Sequence, residues 1–162
     1  MESSLIFNAL LIGTGATMVM DLGTLIQKHL LSLQTLDYAM AGRWLGHAVR
    51  GRFIHRPIMA SAPVRGERLI GWAAHYLTGV LFATLFLSAA GAGWLENPSL
   101  WPALVFGILT LAAPFLVLQP GMGAGLAARR TPAPNAARLK SLATHLTFGA
   151  GLWLSALCLT LL

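Results

Sequence analysis

The sequence predicts an all-α membrane protein with four transmembrane helices and a short amphipathic helix in the loop after the first. Of its 162 residues, 56% are hydrophobic and 10% are charged, whereas a soluble domain carries about 25% charged residues. Four apolar windows, at residues 5–26, 69–95, 100–118 and 142–162, each approach or exceed the length of about 20 residues that crosses a bilayer. With the residues that flank them, they predict spans at approximately 5–28, 68–95, 99–119 and 138–162. These windows leave little chain for a soluble domain, so residues 1–162 are expected to form one four-helix transmembrane domain.

The first window is expected to be a retained helix and not a cleaved secretory signal. No Lys or Arg precedes the apolar run, and the run is longer than the apolar region of a signal peptide. The lone Cys158 has no partner within the chain, which excludes an intrachain disulfide framework.

The basic residues predict how the helices are oriented. All eleven Lys and Arg lie in two loops: Lys28, Arg43, Arg50, Arg52, Arg56, Arg65 and Arg68 in the first, and Arg129, Arg130, Arg138 and Lys140 in the second. Loops rich in Lys and Arg stay in the cytoplasm. We therefore expect both basic loops to be cytoplasmic and both termini to face the periplasm or exterior.

The segment from Thr35 to Phe53 predicts a helix at the membrane interface. Leu36, Met40 and Trp44 recur every four residues, as on an amphipathic surface helix. Four arginines are expected to contact anionic lipid headgroups, or to act only as topology determinants: Arg43, Arg50, Arg52 and Arg56. The pI near 10.8 comes without a nucleic-acid-binding motif, so the predicted partner is the lipid bilayer and not nucleic acid.

Three ionisable residues are expected to share one depth in the membrane. Asp21 lies seven residues before Lys28, while His75 and His145 lie seven residues after Arg68 and Arg138. Seven residues of helix span about 10 Å, which places all three just inside the cytoplasmic boundary. Ionisable groups at such depth face the bundle interior and pair with one another. The sequence therefore predicts a polar site formed by Asp21, His75 and His145.

The two histidines lie in stripes of small residues, which allow close helix contact. The stripes are Gly71, His75 and Gly79 in the second span, and Ser141, His145 and Gly149 in the fourth. The alternative interpretation is that each imidazole serves packing alone, with its N–H bonded to a carbonyl or hydroxyl group.

Further ligands are predicted near the same depth. Pro114 should kink or break the third span because it lacks a backbone donor, and Gln119 and Met122 follow it in a glycine-rich stretch. His47 and His55, in the first loop, are additional candidate ligands, unless they are simply solvated at the interface.

Several segments in order carry a resemblance to a known family. They are MDL (20–22), LDYAMAGRWLGH (36–47), RGRFIHR (50–56), GERLIGWAAHY (66–76), QPGMGAGLAARRTPAPNAARLKSL (119–142) and THLTFG (144–149). Together they resemble an uncharacterised family of small proteobacterial inner-membrane proteins, catalogued as a domain of unknown function. The resemblance implies four helices in the inner membrane and supplies no activity and no site residues.

Three functions fit this pattern. The first is a binding or transport protein whose Asp21, His75 and His145 hold a divalent transition metal or relay protons, since imidazole and carboxylate suit Zn, Fe(II) or Mn(II). The second is a haem b protein with His75 and His145 as axial ligands, Gly79 and Gly149 leaving room for the porphyrin. The third is a structural or assembly subunit that associates with copies of itself or with a membrane complex. An enzyme is disfavoured because no Ser or Cys has a recognisable base partner.

The predicted topology can be tested by cysteine accessibility in a Cys158→Ser background. A cysteine at Pro98, in the loop without Lys or Arg, should react with a membrane-impermeant maleimide in cells whose inner membrane is intact. A cysteine at Arg52 should react only after permeabilisation. Labelling of the two positions in the reverse order would contradict the predicted orientation.

Overall fold

The computed structural model describes residues 2–31 and 37–161, and within them every regular element is helical. The α-helices are α1 (Glu2–Leu31), α2 (Tyr38–Ala48), α3 (Glu67–Ala90), α4 (Ala92–Glu96), α5 (Leu100–Leu109), α6 (Gln119–Met122) and α7 (Pro134–Thr160). A π-helix covers Pro114–Leu118, and 3-10 turns cover Ile58–Ala60 and Leu126–Ala128. The predicted all-α class is confirmed.

Four helical segments are long and apolar enough to cross a membrane: Leu5–His29, Glu67–Ala90, Leu100–Met122 and Pro134–Thr160. They confirm the four predicted spans. The second span ends at Ala90 and not at residue 95, because Gly91 takes a positive φ of 80°. This conformation suits glycine and ends the helix.

The third span is interrupted just before Pro114, as predicted: α5 ends at Leu109, and Thr110 and Leu111 form a turn. Proline has no N–H to give to the preceding turn, and the helix continues from there as a π-helix up to Leu118. The N–H of Gln119 bonds to the carbonyl of Pro114, one residue further back than in an α-helix. The third span is therefore interrupted and is not one continuous α-helix.

The chain packs as two compact units. Unit 1 contains residues 1–34, 76–110 and 142–162, and unit 2 contains residues 35–75 and 111–141. The prediction of a single domain stays a prediction.

Unit 1 has a core in which small residues alternate with large ones. Its buried members are Ala9, Ile12, Ala16, Ala83, Phe86, Leu87, Trp94, Ala103, Phe148, Leu152 and Ala156. The rings of Phe86 and Trp94 meet edge to face at a centroid distance of 4.6 Å. Alanine lets helices approach, and the aromatic rings fill the space where they diverge.

Glycines bring the backbones of unit 1 into direct contact. Three helix pairs touch in this way: α1 and α3 at Gly13 and Val80, α1 and α7 at Ala16 and Gly151, and α5 and α7 at Gly107 and Gly149. A Cβ atom added at Gly107 would lie 2.5 Å from the carbonyl oxygen of His145. No larger residue fits these crossings without moving a helix.

Unit 2 begins with α2, which Asp37 caps by accepting the N–H of Ala39 at 2.9 Å. The helix packs its small residues against α3: a Cβ atom added at Gly42 would overlap the carbonyl oxygen of Glu67. Trp44, from the predicted apolar stripe, is only half-buried. Thr35 and Leu36 of the predicted segment lie outside the described residues, and the interfacial location of α2 stays a prediction.

The glycine contacts predict a large difference between two alanine substitutions. Gly107→Ala should destabilise the protein by about 1–3 kcal/mol, because the new methyl group forces α5 and α7 apart. Gly93→Ala is the matched control, since a Cβ atom at Gly93 meets nothing within 4 Å, and should change stability by about 0.5 kcal/mol or less. Thermal unfolding in detergent measures both, and equal midpoints for the two variants would contradict the packing described.

Candidate functional site

Asp21 lies on α1 and pairs with Tyr76 of α3, both in unit 1. The Tyr76 hydroxyl donates to the Oδ2 atom of Asp21 at 3.1 Å. Both side chains are half-buried. The bond provides the carboxylate with a donor inside the segment that crosses the membrane, where water is scarce.

His145 of α7 pairs with Thr110, also in unit 1. Its Nδ1 atom lies 2.7 Å from the Thr110 hydroxyl oxygen, which in turn lies 2.6 Å from the carbonyl oxygen of Gly107. A hydroxyl has one proton and the carbonyl only accepts. Thr110 therefore donates to Gly107 and accepts from the Nδ1–H of His145, which fixes the tautomer of the neutral imidazole.

His75 belongs to unit 2, where it contacts two aromatic residues. Its Nε2 atom lies 3.0 Å from the hydroxyl of Tyr38 on α2. The two rings stack with centroids 4.3 Å apart and an interplanar angle of 28°, and Trp72 meets the imidazole edge to face. Tyr38 reaches His75 because α2 and α3 are in contact at Gly71.

Each of the three predicted site residues therefore has a hydroxyl partner of its own. Within residues 2–31 and 37–161, no group of three or more His, Cys, Asp and Glu side chains is placed to hold a metal ion. A metal centre built from Asp21, His75 and His145 is therefore not supported. Their arrangement as one shared layer stays a prediction.

The space expected for a porphyrin beside the histidines is filled by other helices. A Cβ atom at Gly79 would overlap Thr17 of α1, and one at Gly149 would lie 2.6 Å from the carbonyl oxygen of Ala103 on α5. The two small-residue stripes thus pack against different neighbours. This packing disfavours haem b as a ligand of His75 and His145.

Sequence reasoning missed the three hydroxyl partners. Two are Tyr38 and Tyr76, the only tyrosines in the chain, and the third is Thr110. The scarcity of tyrosine was a usable signal, because both tyrosines contact a predicted site residue.

His47 and His55, both in unit 2, are buried and not solvated, each with 5% of its surface exposed. The Nε2 atom of His47 lies 2.9 Å from the carbonyl oxygen of Ala62, and the Nδ1 atom of His55 lies 3.3 Å from that of Gly121. The ring centroids of the two histidines are 5.2 Å apart. Two of the four predicted additional ligands are thus neighbours.

Gln119 and Met122 lie on α6 in the same unit. Gln119 directs its Nε2 atom toward the hydroxyl of Ser141 at 3.5 Å, and its Oε1 atom is buried without a hydrogen-bond partner. Met122 is half-buried at the end of the helix. A ligand role for either residue stays a prediction.

Arg43 forms a bidentate ion pair with Glu67. Its Nη2 and Nε atoms lie 2.7 and 2.8 Å from the two carboxylate oxygens, and the side chains are 11% and 17% exposed. Nη1 donates to the carbonyl of Ser61 at 3.2 Å. Hydrogen bonding to Glu67 raises the pKa of Arg43 above its ordinary value, so the guanidinium stays charged.

The other arginines predicted to contact headgroups have a different environment. Arg50, Arg52 and Arg56 are exposed, whereas the guanidinium of Arg43 is engaged within unit 2. Contact with lipid headgroups therefore stays a prediction that concerns these three exposed residues first.

Comparison with known proteins identifies a family. A family model described as "Protein of unknown function (DUF2938)" matches residues 10–159, which is most of the chain. No curated protein and no solved structure matches significantly.

The Arg43 ion pair should stabilise the folded protein. Arg43→Gln should lower the thermal midpoint by several degrees, because it leaves the Glu67 carboxylate without its cation. Arg43→Lys should restore little of the lost thermal stability, since an ammonium group cannot reproduce the bidentate hydrogen bonding of the guanidinium group to the two carboxylate oxygens. Arg50→Gln, at an exposed position, is the matched control and should leave the midpoint unchanged. Equal midpoints for wild type and Arg43→Gln would contradict a stabilising pair.

Proposed function

The chain belongs to the DUF2938 family of proteins of unknown function, as the sequence resemblance predicts, and we propose a function from its own contacts. The protein binds and transfers protons through Asp21 and His145, within the membrane-spanning helices of unit 1. In this proposal it lies in the bacterial inner membrane, with its two basic loops in the cytoplasm.

The observation that carries the proposal is the pairing of each ionisable group with a hydroxyl. Asp21 accepts from Tyr76 at 3.1 Å, and His145 bonds to Thr110 at 2.7 Å. A hydroxyl both donates and accepts hydrogen bonds, so each pair can hold its ionisable group in place while that group gains or loses a proton. Imidazole binds and releases protons near neutral pH. Ionisable side chains inside a span commonly mark proton pathways.

Two features favour protons over larger ligands. A metal ion needs several ligands that converge, whereas Asp21 and His145 each pair with a separate hydroxyl and belong to no group of three or more His, Cys, Asp and Glu among the described residues. The helices of unit 1 also touch at their backbones, as at Gly13 and Val80. A solute larger than a proton finds no space at these crossings.

Unit 2 repeats the pairing once. There the Nε2 atom of His75 lies 3.0 Å from the hydroxyl of Tyr38, so a second imidazole is provided with a group that can exchange protons. Every ionisable residue that the sequence assigned to the polar site thus has the same kind of partner.

A structural role is the alternative, and the glycine contacts favour it. Interhelical hydrogen bonds of this kind also hold helices together, at about 0.6 kcal/mol on average in membrane proteins. In that case the pairs stabilise the bundle, and the protein serves as a subunit of a larger assembly or of an oligomer. Proton flux and thermal stability separate the two roles.

The proposed function is tested by proton flux into liposomes that contain the purified protein and an internal pH-sensitive dye. Wild-type protein should dissipate an imposed pH gradient faster than empty liposomes, and Asp21→Asn should abolish the difference. Tyr76→Phe and Thr110→Val should each slow the flux roughly tenfold, since each removes one hydrogen bond of about 1.4 kcal/mol.

Thr84→Val provides the matched control, because the Thr84 hydroxyl bonds within its own helix to the carbonyl of Val80 at 2.9 Å. It should leave the flux at the wild-type rate. Wild-type liposomes no faster than empty ones, together with lowered thermal midpoints for Tyr76→Phe and Thr110→Val, would reject the proton role in favour of the structural one.

A further inference from the structure

His47 and His55 form a buried pair of imidazoles in unit 2. His47 lies in the last turn of α2, and His55 lies in the loop that follows. The rings are tilted by 54° with their centroids 5.2 Å apart, and each residue is 5% exposed. The pair has no residue in common with the proton-binding pairs of unit 1.

Backbone carbonyls fix the tautomer of each ring. The Nε2 atom of His47 faces the carbonyl oxygen of Ala62 at 2.9 Å, and the Nδ1 atom of His55 faces that of Gly121 at 3.3 Å. A carbonyl oxygen only accepts hydrogen bonds, so both of these nitrogens carry hydrogen. In the neutral rings the lone pairs are therefore on Nδ1 of His47 and on Nε2 of His55.

The lone pair on Nε2 of His55 makes no hydrogen bond within the described part of the protein. Its Nε2 atom is buried and has no hydrogen-bond partner. Buried polar atoms in native proteins nearly always have a partner, and an exception indicates water or an ion. A second buried atom without a partner is Oε1 of Gln119, a residue two positions before Gly121, whose carbonyl holds the His55 ring.

We propose that His47 and His55 bind a transition-metal ion through Nδ1 and Nε2 respectively. Histidine ligands of metals characteristically donate their other ring N–H to a backbone carbonyl or carboxylate, which fixes the orientation of the ring. Two imidazoles bound to one tetrahedral ion, at distances of about 2.0–2.1 Å, have ring centres roughly 5 Å apart. The 5.2 Å separation of the pair agrees with this geometry.

The ligand set determines the class of ion. No third His, Cys, Asp or Glu joins the pair among the described residues, so the remaining positions are filled by neutral oxygen, from water or from the amide of Gln119. Imidazole nitrogen suits Zn²⁺, Cu²⁺ and Ni²⁺, whereas Mg²⁺ and Ca²⁺ require oxygen ligands. Without a charged ligand the ion binds reversibly.

Neighbouring contacts hold the pair in place before any ion binds. The indole N–H of Trp44 donates to the carbonyl of Phe53 at 2.8 Å, and the backbone N–H of His55 donates to the carbonyl of Gly121 at 2.9 Å. Gly121 itself has no room for a Cβ atom, since Trp44 and Phe53 lie against it. The loop that carries His55 is thus fixed to α2 and α6, so binding requires little ordering.

The test uses the full-length protein, purified in detergent, freed of its affinity tag and treated with a chelator. It is titrated with Co²⁺, whose visible absorption reports tetrahedral coordination, and then with Zn²⁺, which should displace Co²⁺. Wild-type protein should bind one Co²⁺ per chain with a tetrahedral spectrum. His47→Gln and His55→Gln should each lose that spectrum, whereas His29→Gln, at an exposed histidine, should retain it.

A second variant gives a signal that loss of folding cannot imitate. In His55→Cys a thiolate replaces the imidazole, and bound Co²⁺ should acquire the sulfur-to-metal charge-transfer band that the wild type lacks. Zn²⁺ should also raise the thermal midpoint of the wild type and leave that of His55→Gln unchanged. The proposal is overturned by a wild-type protein with no tetrahedral spectrum at saturating Co²⁺, by its persistence in both glutamine variants, or by its loss in His29→Gln. Proton flux in liposomes without added metal does not depend on this site, so either proposal can fail alone.

Discussion

The constraint on which this structure depends is that hydrocarbon offers no hydrogen-bond partner, so every polar group in a span has to find one within the protein. Asp21 and His145 meet it with hydroxyls from neighbouring helices of unit 1, and His75 does so within unit 2. The hydroxyl of a threonine lies close to its own backbone. The bond between Thr110 and His145 therefore requires two helices in contact.

Glycine provides that contact at the same positions. Gly107 lies against the carbonyl oxygen of His145 and also accepts the hydroxyl proton of Thr110. In unit 2, Gly71 lies against the carbonyl oxygen of Tyr38, whose hydroxyl meets His75 one helical turn further along α3. In each unit, the glycine contact that brings two helices together thus also brings the hydrogen-bonded side chains within reach of each other. A substitution that separates the helices therefore also separates the hydrogen-bonded pair.

The parts of the structure that depend on local sequence could be predicted, and those that depend on distant pairs could not. Length and composition were enough to predict the four spans, and Pro114 was enough to predict the break in the third span. The partners of Asp21 and His75 could not be deduced, because the spacing of apolar residues does not determine which helix faces lie in contact.

The burial of His55 shows the same limit. The carbonyl that holds its ring belongs to Gly121, 66 residues away in sequence, and no local pattern around position 55 indicates this contact. Arg43 was expected to face lipid because it belongs to a basic segment. Its actual neighbour, Glu67, follows 24 residues later as an isolated acid among cations. A single acidic residue in a basic segment indicates an internal ion pair, which the net charge of the segment does not reveal.

The ion pair between Arg43 and Glu67 has a consequence for how the chain can vary in length. It closes the neck of a loop whose tip, at residues 50–52, is exposed and turns through Gly51 at a φ of 79°. Once the neck is fixed, doubling the length of a flexible loop costs only about 0.6 kcal/mol in closure entropy. Insertions at the tip are therefore tolerated far better than insertions near Glu67, and relatives of this chain can differ in loop length at residues 50–52 while keeping the contacts that the neck secures.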